Sequence, residues 1–313
     1  MPVSPEQREW YLREFEARML SAIVANDQAA EGAAAVVRDA MLAAFDRLRR
    51  LTTQQWSIER VKDILRELDE VWVEMGGELQ QLMRRALTGS VQAGSDALLF
   101  PLGQSGIISA DVLAGFPVIS PQLINMGIDF TGGLIVDVTD EVRRGVGRLT
   151  TSGLLSGHTP FETIETVQAF LFSQGVDSST FPTLALRAEA QVRTEGNRWL
   201  SAAQRVRGAE IHSMVGLLIR EWMAHVSDGR TRSEHLAAHK QRRPFDQQFD
   251  VGGEKLWFPR DPAGSGWNTI QCRCWELYDI PRDVSPNLAL PSPNVAEVEI
   301  SRFRLELDRL MAA

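Results

Sequence analysis

Between Trp222 and Trp275 the chain reads Asp228-Gly229-Arg230-Thr231-Arg232-Ser233-Glu234-His235, then Gln248-Phe249-Asp250-Val251-Gly252-Gly253-Glu254-Lys255-Leu256-Trp257-Phe258, and closes on Gln271-Cys272-Arg273-Cys274-Trp275. This stretch holds both cysteines and three of the five histidines. Its patterning decides the fold class. Met214 to Val226 is apolar with β-branched and aromatic members, which suits a buried strand or a helix. Asp228-Gly229 marks a turn, and Ser227 or Asp228 can cap a short helix over Thr231–His239. Residues 248–258 read as two short strands joined by a glycine turn, Pro259 to Gly266 as a loop, and Ile270 to Tyr278 as a final strand. The unit is α+β.

Upstream, the pattern is helical. Ser4-Pro5-Glu6 is a helix start, with serine as cap and proline in the first turn. Leu12, Phe15, Met19 and Ile23 repeat at helical spacing up to Asn26-Asp27, and Val37, Met41, Ala44, Leu48 and Leu51 form a second stripe. Ile58, Val61, Leu65, Leu68, Trp72, Met75 and Leu79 alternate steps of three and four, the seam of helices packed side by side. Thr53 is a cap for this third stripe. Gly76-Gly77 costs roughly 1 kcal/mol per glycine in a helix and predicts a kink or break. These stripes predict an elongated, mainly α-helical N-terminal region built as an antiparallel hairpin or bundle. From Leu99 to Gly133, Pro101, Pro117, Pro121 and several glycines predict an ordered loop or short connecting elements. Helical signal resumes at Asp137. Thr159-Pro160-Phe161-Glu162 is a capping box opening another helix. Thr183 to Arg207 is a polar, arginine-rich helix whose pattern predicts polar groups pointing inward.

Downstream, Pro281 to Asn294 reads as an extended linker. Ile300, Phe303, Leu307 and Leu310 then share one face of a short tail helix that docks on its own chain or on a neighbour. The expected division is a helical assembly region over 1–182, the α+β domain over 183–280, and a proline-rich linker with a tail helix over 281–313.

The net charge is −8, with a pI near 5.3. Such a balance gives no long-range attraction for a phosphate backbone and argues against a general DNA binder. No apolar run reaches the length of a membrane span. Two cysteines spaced C-x-C make no disulfide framework, and the chain reads as cytosolic.

Three chemistries compete for the central stretch. His235 and His239 are four apart and share a helix face, so Cys272 and Cys274 would complete a zinc set. Against it, alternate residues of a regular strand stand about 7 Å apart, wide for two sulfurs on one metal. Alternatively Arg193, Glu195, Asp228, Arg230, Arg232 and His235 form a buried polar network. In it Asp228 or Glu195 pairs with Arg230 or Arg232, since arginine suits bidentate carboxylate pairing. An enzyme, a metal-dependent nuclease or a toxin-like transferase, is the rival class. The chain has no His-Glu-x-x-His, no Gly-x-Ser-x-Gly and no phosphate-cradling glycine loop. No residue is assigned a catalytic role.

The motifs occur in a definite order. Arg187-x-Glu189-x3-Arg193-Thr194-Glu195-x-Asn197-Arg198 is followed by Trp222-x5-Asp228-x-Arg230-Thr231-Arg232-x2-His235. Pro244-Phe245-Asp246 and Phe249-x-Val251-Gly252-Gly253-Glu254 come next, then Leu256-x-Phe258-Pro259-x-Asp261-Pro262 and Cys272-Arg273-Cys274. This order resembles the phage head-morphogenesis domain of the Mu F-like minor head proteins of tailed bacteriophages, over about residues 183–279. The chain carries Gln271 where the family pattern has Asn, Arg260 where it often has Gly, and His239-Lys240 where it usually has Asp-Gly. The resemblance implies a structural protein of the virion, present in several copies at the capsid interior or portal vertex and in the host cytoplasm during assembly. It implies the portal protein and capsid or scaffold proteins as partners, packaged DNA by proximity, and a role in head assembly or in DNA packaging and ejection.

Overall fold

The computed structural model describes residues 3–51, 58–173, 184–226, 229–281 and 294–312. Thr53, Thr183, Ser227, Asp228 and linker residues 282–293 lie outside them, so the cap, helix-start, turn and linker roles expected there fall outside the described residues.

The fold is α+β, a long helical N-terminal region followed by a small sheet-and-helix region. Helix α1 (Pro5–Leu51) opens with a reciprocal cap. The Gln7 amide donates to Ser4 Oγ at 3.2 Å, and the Ser4 amide donates to Gln7 Oε1 at 3.0 Å. Its two apolar stripes belong to one helix, which runs through Asn26-Asp27 without stopping. There Asn26 is buried, accepting from Ser90 Oγ at 2.8 Å and donating to Asn197 Oδ1 at 3.1 Å. Tertiary partners satisfy the amide that would otherwise favour a turn.

Helix α2 (Ile58–Gln104) likewise continues through Gly76-Gly77 and contains Pro101. A β-carbon at Gly94 would sit 2.4 Å from the Leu200 carbonyl oxygen, so the backbones touch there and glycine alone fits. The expected connecting region from Leu99 to Gly133 is mostly helix. It comprises the end of α2, α3 (Ala110–Ala114) and the start of α4 (Pro121–Leu155). Pro121 opens α4 rather than breaking a helix, because a first-turn proline needs no amide. Helix α5 (Pro160–Ser173) starts at the expected capping box: Thr159 N donates to Glu162 Oε2 at 2.7 Å, and Glu162 N to Thr159 Oγ1 at 3.3 Å.

Helix α6 (Leu184–Val215) leads into β1 (Ile219–Met223). After α7 (Ser233–Ala238) come β2 (Arg242–Pro244), β3 (Phe249–Val251), β4 (Glu254–Leu256), α8 (Gly266–Thr269) and β5 (Trp275–Asp279). Helix α9 (Val295–Ala312) ends the described chain. β1 is central, antiparallel to β2 and to β5, with Arg220 opposite Tyr278 and Trp222 opposite Glu276. β3 and β4 form the expected hairpin around Gly252-Gly253, both at positive φ.

The contacts divide the chain into two compact units, each made of separate stretches of sequence. One comprises residues 28–85 and 129–192. In it Arg47 Nη1 donates to the Glu67 carbonyl at 2.6 Å, and Gly32 faces Leu82, the antiparallel register of α1 and α2. Leu68, Trp72, Met75 and Leu79 are buried, so the third stripe is a packing seam. Arg143 pairs with Asp69, and Arg187 with Glu141.

The other unit comprises residues 1–27, 86–128 and 193–313. Its larger core joins Tyr11, Phe15 and Met19 of α1 to Leu200 and Ile211 of α6 and to Trp275 and Tyr278 of β5. Tyr11 Oη donates to the Tyr278 carbonyl at 2.8 Å, and Arg8 forms a two-pronged pair with Asp279 at 2.8 and 2.6 Å. The tail helix docks on its own chain. Ile300, Phe303 and Leu307 are buried, with Phe303 edge-on to Trp199 at 4.9 Å, while Leu310 lies largely outside the contact.

Candidate functional site

A second, smaller core gathers Trp222, Ala224, Ala238, Phe249, Val251, Leu256, Cys272 and Cys274. His235 enters it from α7, whose short length places one ring inward and leaves Leu236 at the surface. His235 Nδ1 lies 3.2 Å from Cys274 Sγ and 3.5 Å from Cys272 Sγ, and the three ligand atoms all lie within 4.8 Å of one another. All three residues are buried and both cysteines are free thiols. Trp222 packs its ring edge-on to His235 at 5.9 Å.

The spacing objection to two sulfurs on one side does not hold here. Residues 272–274 are not strand; β5 begins only at Trp275, and Gln271 before the pair has φ +55°. A turn in the left-handed region folds the C-x-C segment so that both sulfurs face His235. His239 does not join them. The helix ends at Ala238, His239 takes an extended ψ of 130°, and its Nδ1 accepts from the Ala224 amide at 3.1 Å. The i, i+4 face expected of His235 and His239 is lost with the last helical turn.

Around this cluster, arginines grip loop carbonyls. Arg260 is fully buried, donating to the Cys272 carbonyl at 2.8 Å and to Ser201 Oγ at 2.7 Å. Arg198 Nε donates to the Arg260 carbonyl at 3.0 Å, and Arg232 Nη2 to the Ile270 carbonyl at 2.8 Å. The Gln271 amide donates to Thr194 Oγ1 at 2.9 Å. Both turns that flank the cysteines are thereby tied to α6 and to the α7 approach. Backbone groups that cannot pair in a sheet are satisfied by side chains.

The six residues expected to form one polar network are distributed differently. Glu195 pairs with Arg198 at 2.6 Å, three positions along the same helix, not with Arg230 or Arg232. Arg193 pairs with Asp27 at 2.7 Å. Arg232 reaches a main-chain carbonyl and lies over the Trp267 ring at 5.2 Å. Arg230 is exposed, Asp228 lies outside the described residues, and His235 belongs to the cysteine cluster. The inward polar groups expected of α6 are present: Glu195, Asn197, Arg198, Gln204, Arg205, Arg207 and Glu210 are all buried.

The electrostatics separate the two thiols. Burial raises the Cys272 pKa, but hydrogen bonds with Cys274 and His235 and the Arg260 charge outweigh it and hold that thiol well below its ordinary value. The hydrogen bond with Cys272, followed by burial, drives Cys274 well above it. Burial lowers the Arg260 pKa, and the two sulfurs oppose that shift. The arrangement favours one thiolate beside one guanidinium in a buried space.

Asn268 lies between the expected loop and the expected final strand, where no sequence signal marks a partner for His235. It is buried in α8, with Oδ1 3.3 Å from His235 Nε2 and Nδ2 donating to the Val251 carbonyl at 3.2 Å. The run Gly266-Trp267-Asn268-Thr269 has no periodicity that would have signalled this. Arg260 stood out only as a departure from a glycine pattern. Among the described residues no helix is long and apolar enough to cross a membrane. Searches of family models, curated proteins and solved structures give no match to this chain.

Proposed function

We propose that the chain is a minor head protein of a tailed bacteriophage, of the Mu F-like head-morphogenesis kind. In this reading it is a structural component held against the portal and capsid, acting in head assembly or in DNA packaging and ejection. The observation that carries the reading is backbone conformation at three positions. Lys240, Arg260 and Gln271, at φ +64°, +68° and +55°, are the non-glycine residues with positive φ among the described residues. They fall at the three places where this sequence departs from the family pattern of Asp-Gly, Gly and Asn, with Lys240 at the glycine of the first. Glycine and asparagine are the residues that enter the left-handed region at least cost. The backbone thus keeps the conformation that the family's residue types call for, although the side chains have changed.

A second support is that the separate motifs meet. Thr194 and Arg198 of the first motif hold the loops carrying Gln271 and Arg260, and Arg232 of the second holds Ile270. These residues of three separate motifs are therefore tied together within one compact unit, as an assembly module needs.

The test is to follow the tagged chain through infection and to cross-link purified heads. The expected result is co-purification with DNA-filled heads and cross-links to the portal protein. Absence from particles at every assembly stage, or DNA cleavage lost on His235→Ala, overturns the reading. Arg232→Ala is expected to reduce incorporation into heads several-fold by freeing the Ile270 loop.

A further inference from the structure

We propose that His235 Nδ1, Cys272 Sγ and Cys274 Sγ form a zinc site that fastens α7 to the segment entering β5.

The argument begins with the imidazole tautomer. Asn268 donates through Nδ2 to the Val251 carbonyl, which leaves its Oδ1 facing His235 Nε2. An amide oxygen only accepts, so Nε2 carries the ring proton. Nδ1 is directed into the space shared with both sulfurs, and a proton it shares with the thiolate is released to solvent when a metal takes its lone pair. A metal-binding imidazole fixed by a second hydrogen bond from its other nitrogen is the common arrangement.

The distances suit zinc. With Zn–N about 2.0 Å and Zn–S about 2.3 Å, a tetrahedral centre separates N from S by roughly 3.5 Å. The observed separations are 3.2 and 3.5 Å. The donor set, two soft sulfurs and an imidazole, selects a thiophilic ion over magnesium or calcium. The surroundings shield the centre: Trp222, Phe249, Val251 and Leu256 pack about it, all with essentially no solvent exposure. Binding forms two Zn–S bonds and one Zn–N bond, and any protons still on the sulfurs leave to solvent. His235 is 37 residues from Cys272 and 39 from Cys274, so the ion cross-links segments distant in sequence.

The experiment uses the full chain, purified without a histidine tag or chelator from zinc-supplemented cells. Elemental analysis is expected to give about one zinc per chain. Removal of zinc and addition of cobalt should give the intense visible bands of a tetrahedral centre with thiolate-to-cobalt charge transfer in the near ultraviolet. Cys272→Ser, Cys274→Ser and His235→Ala should each lose most of the zinc, whereas His239→Ala should keep it. Because core variants can misfold, the wild-type cobalt spectrum stands as the independent readout. A wild-type chain that takes up neither ion on reconstitution overturns the proposal, as does a cobalt spectrum without thiolate bands. Equal zinc loss from His239→Ala and His235→Ala overturns the assignment of the ligands.

Discussion

Two buried cations in the same small domain are treated in opposite ways. Arg220, on β1, has its own carboxylate: Nη1 donates to Glu276 Oε1 at 2.7 Å, and both side chains are fully buried. The same guanidinium reaches the Trp257 and Gln247 carbonyls and lies over the Phe249 ring at 4.8 Å. Tyr278 Oη donates to the other Glu276 oxygen at 3.2 Å. Arg260 has no such carboxylate bonded to it among the described residues. Its hydrogen bonds go to a carbonyl and a hydroxyl, and the two cysteines are the groups that most oppose the lowering of its pKa by burial. The first arrangement is closed: charge meets charge and the strands are tied to the β3–β4 approach. The second leaves its charge balance to sulfur, so its state depends on which thiol is ionised or what binds there.

The largest effect should come from opening the closed arrangement. Glu276→Ala leaves a fully buried guanidinium uncompensated, and removing one partner of such a pair costs about 3–5 kcal/mol. Denaturant unfolding should show this as a lost or much earlier transition. A loss under about 1 kcal/mol would mean that Arg220 finds water in solution and that the contrast drawn here is wrong.

Arg260→Met should act differently. It leaves the Cys272 carbonyl and Ser201 hydroxyl without a donor, a cost of roughly 1–3 kcal/mol, but it also removes the positive charge beside the thiols. In metal-free protein the ultraviolet thiolate absorbance of Cys272 should then appear at higher pH than in the wild type. An unchanged thiolate titration would show that His235 and Cys274 alone set the low value.

The pH dependence of stability follows from the same pair. Cys272 has a depressed folded pKa, so its contribution is fully present above the unfolded thiol value near 9 and is lost as pH falls through the folded value. Cys274 has a raised folded pKa, so its contribution is present below the unfolded value and fades as pH rises toward the folded one. Metal-free protein should gain stability as pH rises from the depressed folded value of Cys272 to about pH 9, and lose it beyond. Cys272→Ser should flatten the rising side, and a rising side that persists in that variant assigns it to another group.

The fold was legible wherever a local signal coincided with the tertiary solution. The Thr159–Glu162 capping box, the Gly252-Gly253 hairpin, the Leu68–Leu79 seam and the docked Phe303 face all carry their reasons within a few residues. The start of α4 was hidden because helix propensity counts glycine against a helix. Gly145, farther along α4, shows what outweighs that: a β-carbon there would lie 1.8 Å from the Phe170 ring, so the glycine makes room for α5. The site was half legible. Residue types and order pointed to His235, Cys272 and Cys274, but alternation along a presumed strand misjudged the sulfur spacing. Nothing in the local sequence announced that Gln271 would turn left-handed or that Asn268 would orient the ring.

That conformation supplies the smallest and most diagnostic test. Lys240 is exposed, and its φ of +64° is a conformation in which a β-carbon is strained. Lys240→Gly removes the strain and a solvated side chain at a position that follows α7, and should raise stability by about 0.5–1 kcal/mol. Arg260→Gly relieves the same strain yet should be destabilising, because it also deletes the buried guanidinium that holds Cys272 and Ser201. The two substitutions share one backbone geometry and differ only in what the side chain does, so opposite signs in a thermal melt isolate the Arg260 contacts from the turn they sit on. If both raise the melting temperature, the Arg260 guanidinium contributes nothing net to the fold, and the contrast with Arg220 reduces to burial alone.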